Sequence, residues 1–248
     1  MGHGFTRENR INGTAYYVVD VPAADGVKPI RMIVLDTVNE NGQADGSLDP
    51  DQFDWLLETL EQEPHRLTMI MSHHTGKTMG NRLPGLAAGL RRVVGSTVID
   101  ALHRYPQVVL WVNGHTHENT VTAQPSAGGG SGGFWEITTA SHIDWPQQIR
   151  TIEIVDNGDG TLSFFGTIVD SAADPLWDGS IADPAALASL SRELAVNDPQ
   201  ESPRVDDVVT APDGTKQKVD GLRGLQMDRN VELVLPLPAG VDLYDAPA

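Results

Sequence analysis

Ser72-His73-His74-Thr75 and Gly114-His115-Thr116-His117 place four of the chain's eight histidines in two short clusters. Neutral imidazole is the commonest protein ligand for Zn, Mn and Fe ions, so two such clusters brought together would form a metal centre. There is no cysteine, which excludes thiolate zinc sites and thiol nucleophiles and leaves His, carboxylate and amide groups as the available ligands. The competing reading is that these histidines are unrelated surface or core side chains. Each cluster, however, directly follows a run that reads as a buried strand.

Those runs are Leu67 to Ser72 and Gln107 to Asn113, which with Ile30 to Asp36 are near-continuous apolar segments, as expected of strands covered on both faces. Open α/β sheets bind ligands outside the carboxyl ends of their strands, so both histidine clusters are predicted to face one crevice. Gly114 is expected to let the chain turn there, so that His115 and His117 both point inward. A helix is predicted between the first two strands, with Asp49 as N-cap, Pro50 at its first position and Phe53, Leu56, Leu57 and Leu60 on one face. A second is predicted over Ser96 to Arg104, with Val98, Ile99 and Leu102 inward and Pro106 ending it. Strands follow at Phe134 to Thr139, Ile149 to Val155 and Thr161 to Val169, the last two joined by a turn at Asn157-Gly158-Asp159-Gly160. The fold class is therefore α/β with α+β character. Gly128 to Gly133 reads as a low-complexity hairpin tip. Three regions are expected: a main domain over residues 1–170, a helical linker over 171–204 that includes a helix at Pro184 to Val196, and a small β-rich appendage over 205–248.

The 248 residues are 40% hydrophobic, enough to bury a core, and carry 17 basic against 34 acidic residues. The net charge of −17 repels phosphate backbones unless metal ions intervene, which argues against a nucleic-acid partner. The longest clean apolar run, Val108 to Val112, is far short of the roughly 18 residues that span a bilayer. Met1 to Tyr17 lacks the apolar stretch of a secretory signal, so a soluble, membrane-free protein is expected as written, with its localisation otherwise open.

Two folds that share a His-x-His element fit poorly. The metallo-β-lactamase pattern continues with x-Asp-His where Glu118 and Asn119 stand, and the cupin pattern needs a Glu where Thr120 to Thr122 stand. By contrast, Ile33-Val34-Leu35-Asp36-Thr37, the capped helix ending in Trp55-Leu56-Leu57, Met71-Ser72-His73-His74 and Val112-Asn113-Gly114-His115-Thr116-His117 occur in the order found in the calcineurin-like metallophosphoesterases. Over about Gly2 to Val169 the chain resembles that family. Its start, His3-Gly4-Phe5-Thr6, and the segment Thr138 to Arg150 resemble a bacterial subgroup of larger members.

The resemblance implies a four-layer αββα sandwich, of which this chain would be part. It also implies two divalent or trivalent ions (Mn, Fe or Zn) acting on a phosphoester substrate, a phosphomonoester or phosphodiester. His73 and His115 would bind one ion and His117 the other, while His74 would support them without binding. His142 and Asp144 either line the substrate side of the crevice or hold the fold. The family's Asp-x-His, Gly-Asp and Gly-Asn-His motifs are absent, so the leaving-group histidine and the bridging carboxylate are unassigned. The chain thus resembles the carboxyl-terminal half of such an enzyme, with the other half in the same or another polypeptide.

Two expectations follow from that departure. Metal binding by this chain alone should be weak, unless Asp36, Glu118 or Asp144 is recruited, and unpaired strand edges should promote self-association. The alternative to an enzyme is a non-catalytic remnant or binding domain that keeps the histidines.

Overall fold

The computed structural model describes residues 5–84, 91–126, 133–200, 207–210 and 216–245. His3-Gly4, most of the Gly128 to Gly133 tip and part of the 205–248 tail lie outside the described residues. The chain divides into two units: Met1–His115, Thr122–Glu136 and Leu235–Ala248 form the first, and Thr116–Val121 with Ile137–Val234 the second. The class is mixed α/β, with one sheet that combines parallel and antiparallel pairs and a separate antiparallel sheet.

A short helix, Arg7–Asn12 (α1), opens the described chain, with Thr6 and Asn9 exchanging hydrogen bonds across its first turn. The larger sheet then takes Tyr17–Val21 (β1), Ile30–Val34 (β2), Thr68–Met71 (β3), Val108–Asn113 (β4), Thr120–Pro125 (β5) and Gly133–Thr138 (β6), in the order β1-β2-β3-β4-β6-β5. The three apolar runs of the sequence are its central parallel strands, β2, β3 and β4, with Met71 of β3 opposite Val34 on one side and Val112 on the other. Their carboxyl ends are level, and the pairing continues beyond the strands as Leu35 N–H donates to Met71 and Ser72 N–H to Val112.

Pro50–Gln62 (α2) starts as the sequence requires. The Asp49 carboxylate accepts from the Gln52 N–H at 2.8 Å, and Pro50 takes the first turn, where its missing N–H has no intrahelical partner to lose. Leu56 and Leu60 are buried against the sheet with Ile33, Ile70 and Trp111. Gln52 has a task that helix capping does not foresee. Its side-chain amide is buried and closes both backbone groups of Asp36, donating to the carbonyl at 2.7 Å and accepting from the N–H at 2.8 Å, so α2 is tied to the carboxyl end of β2.

Gly95–Leu102 (α3) sits where the second helix was expected and buries Val98 and Leu102. His103, which follows it, is half-buried beside Phe134, with ring centroids 5.5 Å apart.

In the second unit, Ile149–Asp156 (β7) and Thr161–Val169 (β8) form the expected antiparallel hairpin. Pro184–Val196 (α4) begins with Asp183 accepting from the Ala186 N–H. Asp207–Thr210 (β9) pairs with Lys216–Val219 (β10), and Val231–Pro236 (β11) flanks β8 in the order β11-β8-β7. Trp145, Ala195 and Leu222 form a small core, with the guanidinium groups of Arg192 and Arg223 at 5.0 and 4.8 Å from the Trp145 ring. Among the described residues, no helix is long and apolar enough to cross a membrane.

Asp170 neutralises that stack, accepting from the buried Arg192 guanidinium at 2.9 Å and lying 3.8 Å from Arg223. Desolvation raises its carboxyl pKa, but hydrogen bonds from Arg192 and Gln148 and the two guanidinium charges outweigh it and hold the value below the ordinary range. A carboxyl depressed in the folded state adds stability above its unfolded pKa, near 3.9, and loses it as pH falls through the folded value. Asp170→Asn should therefore melt below the parent protein at pH 7, with the difference shrinking as pH falls below the ordinary carboxyl value. Melting curves between pH 3 and 7 check this, and a pH-independent difference would refute it.

Candidate metal centre

The chain leaves β3 at Met71 and β4 at Asn113, and the Gly114 N–H donates to the His73 carbonyl at 3.0 Å, which fixes the two histidine loops side by side. In the first unit, His73, His74 and His115 then form a group whose candidate ligand atoms all lie within 4.8 Å of one another. Within it, His73 Nε2 and His115 Nδ1 stand 3.1 Å apart. His73 is exposed and His115 half-buried, so the pair is reachable from solvent, whereas His74 is buried.

The chemistry of the donors fits a metal ion. Two nitrogens bound to one ion at about 2.0–2.1 Å, with angles near 90–110°, stand roughly 3.0–3.4 Å apart. The His73 to His115 separation falls in that range, and without an ion it is the length of a ring N–H···N hydrogen bond. Three imidazoles form the group, and among the described residues no carboxylate belongs to it.

His74 is engaged at both ring nitrogens. Nε2 lies 3.1 Å from the Ala44 carbonyl, which only accepts, so Nε2 carries the proton and Nδ1 accepts from the Thr37 hydroxyl at 2.7 Å. Thr37 Oγ1 in turn accepts from the His74 backbone N–H at 3.3 Å. Desolvation, reinforced by the neighbouring His115 and His73, lowers the His74 pKa to about 4, so its ring is neutral at physiological pH. A Cβ built on Gly46 would lie 2.5 Å from that ring and 2.6 Å from the Thr37 carbonyl, so a residue without a side chain is required where this loop crosses His74.

The chain after β4 passes through the left-handed region at His115 (φ +69°) and His117 (φ +58°). Histidine tolerates that region better than most residues, yet each such position costs of order 1–3 kcal/mol, and such costs gather at functional sites. The sharp turn expected beside Gly114 is thus made by the two histidines themselves.

His117 is not in the three-histidine group. It belongs to the second unit, where its Nδ1 lies 2.7 Å from the Asp144 carboxylate. That contact leaves Nε2 as the ring's other polar atom, an arrangement in which a carboxylate orients an imidazole for a further partner. Asp144 is fixed by a local turn: Ser141 Oγ accepts from its N–H, and its carbonyl accepts from the Gln147 N–H. It also forms part of an open groove with Ile143, Leu187, Leu190 and Leu194. His142 is exposed on the same loop, and Glu118 is half-buried. Asn119 anchors the chain just past His117, its amide donating to Gln148 and its carbonyl oxygen accepting from the Ala140 N–H. Asp36 accepts from the Val38 N–H and so closes the turn after β2.

The structure thus brings together His73, His74 and His115, and separately His117 and Asp144. Thr37 and the Ala44 carbonyl were not foreseen as site groups. Thr37 closes the Ile33 to Thr37 run, and it reaches His74 only because β2 and β3 become neighbours, which nothing local in the sequence signals.

No family model matches the sequence, and no curated protein does. Among solved structures, the chain is similar to a dimetal phosphatase from Danio rerio, at 17% identity and a TM-score of 0.39, over 65% of this chain. It spans 62% of that protein's length.

Proposed function

We propose that this chain is part of a metal-dependent phosphoester hydrolase of the calcineurin-like kind, with His73 and His115 holding one ion and His117, oriented by Asp144, serving a second. The observation that carries the reading is the 3.1 Å approach of His73 Nε2 and His115 Nδ1 at the ends of adjacent parallel strands. The ordered motifs around Asp36, His73 and His115 support it. A bound Mn, Fe or Zn ion supplies Lewis acidity toward a phosphoryl oxygen and toward a water nucleophile. The protein's own part is positional: His73 and His115 present ring nitrogens, and His74, locked between Thr37 and Ala44, packs against both rings. Carboxylate ligands and the acid for the leaving group come from the family's amino-terminal motifs, in a preceding segment or a second chain.

Metal analysis and an aryl phosphate diester test this together. The chain loaded with Mn or Zn is expected to bind weakly, retaining less than two equivalents after dialysis, and to hydrolyse the diester when joined to a segment carrying Asp-x-His, Gly-Asp and Gly-Asn-His. No metal binding above a His73→Ala, His115→Ala double variant would overturn the reading. Metal binding without hydrolysis in the extended protein would favour the second reading, a binding domain that keeps the histidines, with which the all-imidazole group is consistent.

A further inference from the structure

We infer that Glu136 is the positioning residue of this centre, a buried brace that sets the spacing of the two histidine loops. The inference rests on the metal reading above.

Glu136 lies on β6 at 5% exposure. One carboxylate oxygen, Oε1, accepts from both the Gly76 N–H and the Asn113 side-chain amide, each at 2.8 Å. The other, Oε2, accepts from the Gln124 amide at 2.8 Å. Gly76 is three residues past His73, and Asn113 is two residues before His115, so a single oxygen clamps both loops close to their ligand-bearing residues. No ion pair of Glu136 occurs among the described residues, and the carboxylate is held by amide donors.

The packing leaves little room for the Gly76 loop to shift. A Cβ on Gly76 would stand 2.7 Å from Ile99 Cδ1 and 3.5 Å from both Glu136 oxygens, and a Cβ on Gly95 would meet the Gly76 carbonyl at 1.9 Å. The loop therefore fits between α3 and the Glu136 carboxylate only because both crossing residues are glycines.

A buried carboxylate is costly unless its lone pairs are satisfied, and here the satisfied lone pairs are the ones that hold the two loops. Replacement by alanine would strand the Gly76 N–H and the Asn113 amide and leave the loops, held by the Gly114 N–H to His73 carbonyl bond, without the second clamp that sets their spacing. Glutamine has the same shape. Its oxygen can take over both bonds of Oε1, and its NH₂ can face Gln124, whose amide turns over to accept. If Glu136 acts by geometry, glutamine should rescue what alanine loses.

The test combines Co(II) titration, followed by visible absorption, with long-range 1H–15N spectra of the histidine rings in the metal-free protein. Glu136→Ala is expected to weaken Co(II) binding by about 10- to 100-fold and to change the absorption band, as supporting residues of metal ligands typically do. Glu136→Gln should stay within about threefold of the parent protein, and Gln124→Ala, which touches only Oε2, should not alter binding. Asn113→Ala severs one of the two ties and replaces Glu136→Ala if that variant fails to fold. The inference is overturned if Glu136→Ala and Asn113→Ala both keep parent affinity and spectrum, or if Glu136→Gln loses as much as alanine, since charge rather than shape would then be responsible. Should the parent protein bind no Co(II), the metal reading falls, while altered His73 and His115 ring signals in metal-free Glu136→Ala would still uphold the brace.

Discussion

His73→Ala and His115→Ala are each expected to lower Mn or Zn affinity by more than about 100-fold, beyond the 10- to 100-fold that loss of a supporting residue causes. The two nitrogens stand 3.1 Å apart, and removing either leaves a single imidazole of the pair. The obvious substitute, His74, is already engaged at both ring nitrogens. Its Nε2–H is given to the Ala44 carbonyl and its Nδ1 lone pair receives the Thr37 hydroxyl, so either nitrogen would have to give up a hydrogen bond to bind a metal. His74→Ala should accordingly reduce melting temperature more than metal affinity, because it opens a cavity and leaves the Thr37 hydroxyl without its acceptor. A chelator-competition titration of the three variants checks the ordering. Parent-like affinity in both His73→Ala and His115→Ala would remove the metal from this centre.

Much of this arrangement is legible in the sequence because it follows from short-range rules. β4 is buried nearly throughout, whereas β2 and β3 bury one face and leave the other half-buried or, at Met71, exposed; all three still appear as continuous apolar runs, and a histidine directly after such a run must emerge at the carboxyl edge of the sheet. The start of α2 is written in Asp49-Pro50, and the β7–β8 turn in Asn157 to Gly160. The elements that escaped detection lack such signals. β1 and β5 are the two edges of the larger sheet, their residues mostly half-buried and interrupted by Asp20 in one and by Gln124 and Pro125 in the other. α1 is a polar hexapeptide that buries an asparagine rather than an apolar stripe. The hidden parts of the site have a different cause. Glu136 meets Gly76 from 60 residues away and Asn113 from 23, and Thr37 meets His74 across 37, so their roles depend on which strands become neighbours, which no local pattern encodes.

Trp111→Ala should be the most damaging single change to the fold, at about 3–5 kcal/mol. Trp111 is fully buried in the middle of β4, opposite Ile70 of β3, and belongs to the core that includes Leu56, Leu60 and Phe134. Truncation removes the indole and leaves a void that the flanking strands can close only by giving up their register. It also strips a polar contact. The indole Nε1–H donates to Ser72 Oγ at 2.8 Å, and that hydroxyl donates to the His74 carbonyl at 2.7 Å, so the core tryptophan supports the first histidine loop through one serine. For a chain of this length, 1 kcal/mol corresponds to about 2–4 °C in Tm, and the variant should melt roughly 6–20 °C below the parent protein. Against a typical total stability of about 5–15 kcal/mol, that loss is large enough to populate unfolded chains at physiological temperature. Trp111→Phe separates the two contributions: it keeps most of the volume, loses the bond to Ser72, and should cost about 1–2 kcal/mol. Calorimetry of both variants decides the matter. A Trp111→Ala protein melting within about 2 °C of the parent would mean that β4 does not carry the core.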